Sequence, residues 1–468
     1  MRNKALNLYE HDQKYDPVVD AALAPTIQES PAAEPTHEAA GWLFTGAIIV
    51  GVSILVYATF AGQLFQPLFQ AAQAAHWSKL VVRPSLWWSI MGMALLIFRT
   101  IAWFRYRPFP SAGISDAPSL TVIIPAYNEG AMVRKSIDSV ATASYPHDRL
   151  EIFVVDDGSR DNTWLHIQAA AKNYPNIVTP LKFPDNRGKR AALEAGFRRA
   201  RGDIVVTIDS DSVIGRDTLL AMVGPFSDPK VGAVAGKVIA YNREKGIIPK
   251  MLHVRYVLSF DFLRAVQSSY GTVYCCPGAL AGYRRSAVYE VLDRWMGQIF
   301  LGRQCTYGED RALTNYILDQ GYNTVYQRSA VVRTIVPWTY KKLYKMYLRW
   351  DRSYVREEIR LTRIIWKRPP GALAIALLDK FVTNLRYPIG YLSLGLLGIL
   401  SFHDPMTIVR FLFAMGMMSF LNMFYYLARE KSWDFFYGIL YAYFSFFTLL
   451  WIFPYAVLTV RSKSWMTR

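Results

Sequence analysis

IVVTIDSDSVI, residues 204–214, is the stretch on which the reading of the chain turns. An apolar, β-branched run enters Asp209-Ser210-Asp211, which reads as a buried strand ending abruptly in acid. Alternate residues of an extended segment point the same way, so Asp209 and Asp211 can face one divalent ion. A hard ion such as Mg²⁺ or Mn²⁺ takes oxygen ligands and bridges the phosphate oxygens of a nucleotide. Upstream, EIFVVDDGSRDNT (151–163) has the same form, a strand stopping on Asp156 and Asp157 before a Gly158-Ser159 turn. TVIIPAYNEG (121–130) is a third, opening into a polar loop with Tyr127, Asn128 and Glu129. VGAVAGKVI (231–239) adds a fourth β-branched run. Helix-compatible stretches separate the first three, which predicts a parallel βαβ sheet with ligands beyond the carboxyl ends of its strands. Taken singly, an acidic turn is as readily a helix cap. Their repetition at successive strand ends points to a ligand edge.

Three later segments suit that edge. Lys189 and Arg190 open a helix in DNRGKRAALEAG (185–196), and donors at a helix N-terminus favour an anion. The GxxxxGK[ST] spacing is absent, which argues against a nucleoside triphosphatase. TYGEDRALTN (306–315) supplies Glu309 and Asp310. A positioned carboxylate can deprotonate an attacking hydroxyl; Asp310 is the candidate base, with Glu309 as a neighbour that tunes it. In KMYLRWDRS, Arg349 suits a diphosphate and Trp350 the face of a sugar ring. Both are equally compatible with an ordinary interfacial helix.

The flanks are of another kind. Of 468 residues 52% are hydrophobic and only 19% charged, a balance that fits part soluble domain and part membrane. Residues 1–40 are polar, without an apolar core, and read as a disordered cytosolic tail. Apolar runs at 41–66 and 86–104 are each long enough to span a bilayer. Together they make a two-helix segment over 41–107, and Arg99, Arg105 and Arg107 place its end in the cytosol. Residues 118–333 read as the soluble α/β domain. Residues 334–369 hold ten Lys or Arg against three acids with Trp and Tyr interleaved, as an amphipathic helix on an anionic membrane surface would. Much of the net charge of +17 is thereby assigned to headgroups and phosphates, and a nucleic-acid partner is disfavoured. Residues 370–468 form the C-terminal membrane region, with apolar runs at 371–402, 405–428 and 434–461. Three simple crossings would leave the basic end RSKSWMTR outside, so one run is expected to hold two passes or a re-entrant turn. Cys275, Cys276 and Cys305 have no metal-ligand spacing, which suits a reduced compartment.

In order, these pieces resemble a processive family 2 glycosyltransferase, similar to hyaluronan synthases and rhizobial chitooligosaccharide synthases. The likeness rests on DDGS (156–159), GKR (188–190), DSD (209–211), LRAVQSSYGTVYCCPGALAGYRR (263–285), LGRQCTYGEDRALTNYILDQGY (301–322), RW (349–350) and the closing WMTR (465–468). The resemblance implies a GT-A-type α/β domain inserted between N- and C-terminal transmembrane helices, with amphipathic interfacial helices. It further implies that Asp156 and Asp157 hold uridine with Tyr127 against the base, and that Lys189 and Arg349 reach the diphosphate. Asp209 and Asp211 would bind the UDP-sugar and its Mg²⁺ or Mn²⁺, and Asp310 would be the base. Trp350 would stack on the acceptor sugar, with Cys275 also on the acceptor side, and Trp465 and Arg468 would help close the site over UDP. The implied product is a β-linked polysaccharide made with inversion from UDP-sugars, UDP-GlcNAc first and UDP-glucuronate as a possible second, exported through the enzyme's own transmembrane channel. The implied setting is a multi-pass protein of the plasma or inner membrane with a cytosolic catalytic domain. A single transfer to a lipid carrier, a glucan synthase using UDP-glucose and a catalytically silent scaffold are the alternatives. A homo-oligomer and export subunits stay open. Two departures stand out: Met346 occupies the place of the family's Gln in Q-x-x-R-W, and Cys275-Cys276-Pro277-Gly278-Ala279 replaces Cys-x-Ser-Gly-Pro.

Overall fold

The computed structural model describes residues 79–430 and 432–462, with isolated positions before residue 79. The tail 1–40, Trp465 and Arg468 lie outside the described residues, as does most of the run 41–66.

The strands are β1 (Leu120–Ala126), β2 (Leu150–Asp156), β3 (Val178–Lys182), β4 (Ile204–Ile208), β5 (Ser212–Ile214), β6 (Val231–Ala240), β7 (Leu280–Arg284), β8 (Ile299–Phe300), β9 (Arg303–Gln304) and β10 (Asn323–Thr334). Eight of them form one sheet in the order β3-β2-β1-β4-β7-β6-β10-β5, while β8 and β9 make a separate small hairpin. The half formed by β3, β2, β1 and β4 is parallel, in a register that sets Ala126 beside Asp156. All seven residues of β1 are buried, as a strand covered by helices on both faces requires. The helix Met132–Ala141 supplies part of that cover through Val133, Ile137 and Val140, which recur at helical spacing on its buried face. On the helix Lys189–Arg199, Gly196 permits close packing, because a Cβ there would lie 2.5 Å from Ile123 Cγ2.

The expected purely parallel sheet is corrected at β7 and β5. These run antiparallel to β4 and to β10. Only residues 209–211 separate β4 from β5, too short a link for a parallel crossover, so β5 turns away to pair with β10. LAGYR of β7 lacks the β-branched run that marks its neighbours.

The helix Lys79–Arg105 contains the second apolar run and, at 27 residues, is about 40 Å long. Its Arg99 bonds Asp379 at 2.6 Å and Thr383 at 3.0 Å on the helix Pro370–His403. Among the described residues two helices are long and apolar enough to cross a membrane, Pro370–His403 and the Met406–Met423 part of Met406–Glu430. The last apolar run is broken. Phe435–Leu449 and Ile452–Leu458 meet at a bend of 45°. The helix Tyr340–Ile364 is amphipathic, yet its inward face carries charge, with Arg352, Arg356, Glu357 and Glu358 all buried.

A π-helical turn at Val257–Phe262 buries Asp261. Its carboxylate accepts from Arg328 Nε at 2.7 Å and from the Tyr326 hydroxyl at 3.3 Å. Asp261→Ala leaves the guanidinium enclosed without this counter-charge and is expected to destabilise the protein by about 3–5 kcal/mol. Unfolding of the detergent-held full chain measures it. A loss below about 1 kcal/mol, the value of a surface pair, would contradict the assignment.

Candidate active site

The carboxyl ends of β1, β2 and β4 converge, and loops fix their polar residues. After β1, Asn128 takes a left-handed φ of 54°, which Asn tolerates better than most residues. Its amide donates to Ser159 Oγ at 3.0 Å, while Glu129 and Gly130 amides donate to Thr163 Oγ1 at 2.9 and 2.8 Å. The loop holding Tyr127 is thus pinned to the DDGS turn.

The two acids after β2 differ in occupation. Asp157 accepts from the amides of Arg187 and Gly188 at 2.7 and 2.9 Å, so both of its oxygens hold the loop that leads into Lys189. Burial pushes its carboxyl above the ordinary range despite these amides. Asp156 accepts from the Ser159 amide at 3.1 Å through Oδ1, while its buried Oδ2 has no hydrogen-bond partner among the described residues. Of the two, Asp156 keeps acceptor capacity in a place shielded from water.

Lys189 joins this edge to the GED turn. Its ammonium bonds Asp209 and lies 3.3 Å from Glu309. Burial would lower its proton affinity, but Asp209, Glu309 and Asp310 outweigh burial and hold it charged. Asp211, 1% exposed, accepts from Thr334 Oγ1 at 3.1 Å at the seam of β5 and β10. Asp209 and Asp211 therefore sit in different surroundings, one beside a cation at the opening and one enclosed.

Glu309 and Asp310 begin the helix Glu309–Asp319. Asp310 Oδ2 accepts from the Gly278 amide at 3.2 Å and from the Cys275 thiol at 3.7 Å, and Oδ1 accepts from the Arg311 amide at 2.7 Å. Burial and the adjacent Glu309 charge raise the Asp310 carboxyl above the usual range. For Glu309 burial acts upward, but Lys189 and the more distant Arg349 and Arg190 hold it below. Burial pushes the Cys275 thiol up to about 11, so it stays a neutral donor. Cys275 is 8% exposed, and its place is beside Asp310.

On the helix Tyr340–Ile364, Trp350 lies at the rim, 36% exposed, with the Tyr256 ring at 6.2 Å and the Tyr347 ring at 5.7 Å. Met346, in the place of the family's Gln, is buried, and its sulfur accepts from the Tyr256 hydroxyl at 3.7 Å. Tyr256 carries no motif and sequence reasoning passed over it, while Gly278 lay in the Cys275–Ala279 stretch without a role for its amide.

A mixed sheet with acids at the ends of its parallel strands and a carboxylate pair on a facing helix defines the class: a glycosyltransferase of GT-A-like fold. The chain belongs to glycosyl transferase family 2. The description of that family, Glycosyl transferase family 2, matches residues 121–292. An N-acetylglucosaminyltransferase of Rhizobium sp. (strain N33) is 32% identical over 75% of this chain and 77% of its own. A hyaluronan synthase of Streptococcus pyogenes is 30% identical over 81% of this chain and 90% of its own. With the N-acetylglucosaminyltransferase of Rhizobium meliloti (strain 1021) the identity is 35%, and the match spans 65% of that protein. The fold also matches the mannosyltransferase PcManGT from Pyrobaculum calidifontis in complex with GDP-Man and Mn²⁺. That match has a TM-score of 0.58 at 21% identity and covers 81% of this chain and 99% of that one.

The turn after β2 has no room for a side chain. Gly158 has a φ of +72°, and a Cβ on it would lie 2.5 Å from the Asp185 backbone carbon. Gly158→Ala is expected to cost about 1–3 kcal/mol of stability and to weaken nucleotide-sugar binding about tenfold. Thermal unfolding and calorimetry measure the two, and unchanged values in both would contradict the packing described.

Proposed function

We propose that the chain is a membrane-integrated, inverting, processive glycosyltransferase that builds a β-linked polysaccharide from UDP-sugars, with UDP-GlcNAc as a donor. The observation that carries the reading is the meeting of Lys189, Asp209, Glu309 and Asp310, which brings a cation for diphosphate within reach of a carboxylate of raised proton affinity. The similarity to N-acetylglucosaminyltransferases supports the choice of donor.

In this reading Asp156 and Tyr127 bind uridine, while Asp157 shapes the loop beneath the phosphates. Lys189 and Arg349 bind the diphosphate. Among the described residues no three His, Cys, Asp or Glu side chains form a ready metal cage. Asp209, partly open to the site, and the enclosed Asp211 would be the carboxylates to hold Mg²⁺ or Mn²⁺, since Mg²⁺ takes one or two carboxylates when substrate phosphates complete its shell. Such an ion would supply positive charge at the departing diphosphate. Trp350 carries the acceptor sugar and Asp310 faces its hydroxyl. The acceptor oxygen forms the bond to the anomeric carbon as the bond to UDP breaks, and the hydroxyl proton passes to Asp310. The Gly278 amide and Cys275 thiol hold that carboxylate in place.

The domain assignment follows the same lines: a tail over 1–40, membrane helices over 41–107, a cytosolic catalytic domain over 118–333, an interfacial helix over 334–369 and membrane helices over 370–468. Export through the last region belongs to the same reading, and the Pro370–His403 helix carries polar groups bonded to the interfacial helix. Lys380 bonds Glu358 there, and Asn384 donates to Glu358 at 3.1 Å.

Asp310→Asn tests the base directly. Transfer is expected to fall by about 10²–10⁴-fold while UDP affinity stays within about twofold. The raised carboxyl also fixes a sign. Transfer needs Asp310 ionised, so activity is lost as pH falls, with a midpoint above the value of about 3.9 for an ordinary aspartate. Normal turnover in the variant, or an acid limb at or below that value, would remove Asp310 as the base.

A further inference from the structure

We propose that Glu357, which no motif contains, is the positioning residue that fixes the register between Asp310 and the acceptor side of the site. The proposal rests on the reading of Asp310 as base and Trp350 as acceptor platform. The Glu357 side chain is 0% exposed. Its Oε1 accepts from Gln298 Nε2 at 2.8 Å and from Arg356 Nε at 2.9 Å. Its Oε2 accepts from Asn315 Nδ2 at 3.1 Å, and the same amide donates to the Glu357 backbone carbonyl at 3.0 Å.

The partners reach different walls of the site. Asn315 belongs to the helix that begins with Glu309 and Asp310. Arg356 donates to the carbonyl of Tyr307 at 2.5 Å, immediately before the GED turn. Gln298 accepts from Arg190, the neighbour of Lys189, at 3.1 and 3.2 Å. Arg190 also donates to the Trp295 carbonyl at 2.8 Å, and Trp295 Nε1 donates to the Glu309 carbonyl at 3.0 Å. Glu357 itself lies on the helix that carries Arg349 and Trp350. One enclosed carboxylate thus ties together the donor helix, the base helix and the acceptor helix.

Apolar residues of the same volume could join these helices without the cost of a buried charge. Apolar contacts allow sliding, whereas a fully bonded carboxylate fixes direction and register. A second observation shows that register matters here. Gly308 has a φ of +73°, and a Cβ on it would lie 2.0 Å from Ser353 Oγ and 2.9 Å from Arg356 Nη2. The base turn and the acceptor helix therefore touch without slack, and a shift of one carries the other. Misplacement by about 1 Å can lower a rate by about 10²-fold.

Attack by the acceptor and attack by water depend on this register to different degrees. In donor hydrolysis a water oxygen replaces the acceptor oxygen at the anomeric carbon, UDP leaves, and the proton passes to Asp310 or solvent. Water needs no platform. Loss of register should therefore depress transfer more than hydrolysis.

Glu357→Gln keeps size and an oxygen for Gln298 and Arg356 but sets an NH₂ against that of Asn315. In the full-length protein held in nanodiscs with UDP-GlcNAc and Mn²⁺, transfer kcat is expected to fall by about 10–100-fold. Donor KM and UDP affinity are expected to stay within about twofold, and the ratio of hydrolysis to transfer to rise by about fivefold or more. Asn315→Leu in the wild-type background removes both bonds from Asn315 to Glu357, leaves Glu357 paired with Arg356 and Gln298, and decides the matter if Glu357→Gln does not fold. Wild-type rates in the variants overturn the proposal, as do proportionate losses of hydrolysis, transfer and UDP binding, which mark a purely structural role. Failure of the wild-type protein to transfer from any UDP-sugar would instead defeat the reading of the site itself.

Discussion

Charge balance in a place with little water is the constraint on which the rest of the structure depends. Lys189 stands against Asp209 and Glu309, with Asp310 beyond. One ammonium beside three carboxylates leaves an excess of negative charge. That excess is eased by Arg349 and Arg190 acting on Glu309 and by the raised proton affinity of Asp310. Each ion tolerates burial only because the others are present. The loop after β3, the end of β4 and the start of the helix Glu309–Asp319 must therefore arrive together, and the sheet is the frame that delivers them.

The same economy explains where the candidate spans attach. Charged side chains in an apolar helix are costly and turn inward to partners. Asp379 meets Arg99, and Lys380 meets Glu358, so both pairs join the helix Pro370–His403 to the elements beside it. These contacts tie the helix Pro370–His403 to the helices Lys79–Arg105 and Tyr340–Ile364 by paired charge.

Much of this was legible in the sequence. β1, β2 and β4 read clearly because apolar runs stopped on Asp or on polar turns, and their ends form the site edge. β7 was not legible, since LAGYR offers small residues where a strand usually shows branched ones, and its antiparallel placement comes from pairing with distant β4 and β6. The acids of DDGS could be located, but not told apart. Only the fold reveals that Asp157 is spent on the amides of Arg187 and Gly188. Likewise Lys189 could be aimed at an anion from its helix start, while its pairing with Glu309 spans 120 residues of chain and leaves no local trace. Met346 read as a lost amide; in the fold it is a buried partner of Tyr256. Glu357 stood unremarked among the three acids of a basic amphipathic stretch.

The central claim is that this carboxylate-lined edge polymerises sugar from a UDP donor. The most direct measurement is product size from the purified, nanodisc-held protein given radiolabelled UDP-sugars with Mg²⁺ or Mn²⁺, singly and in pairs. High-molecular-weight label that requires UDP-GlcNAc, alone or with UDP-glucuronate, is the predicted result. Label confined to a small lipid product, or no incorporation from UDP-GlcNAc under any pairing, would contradict it.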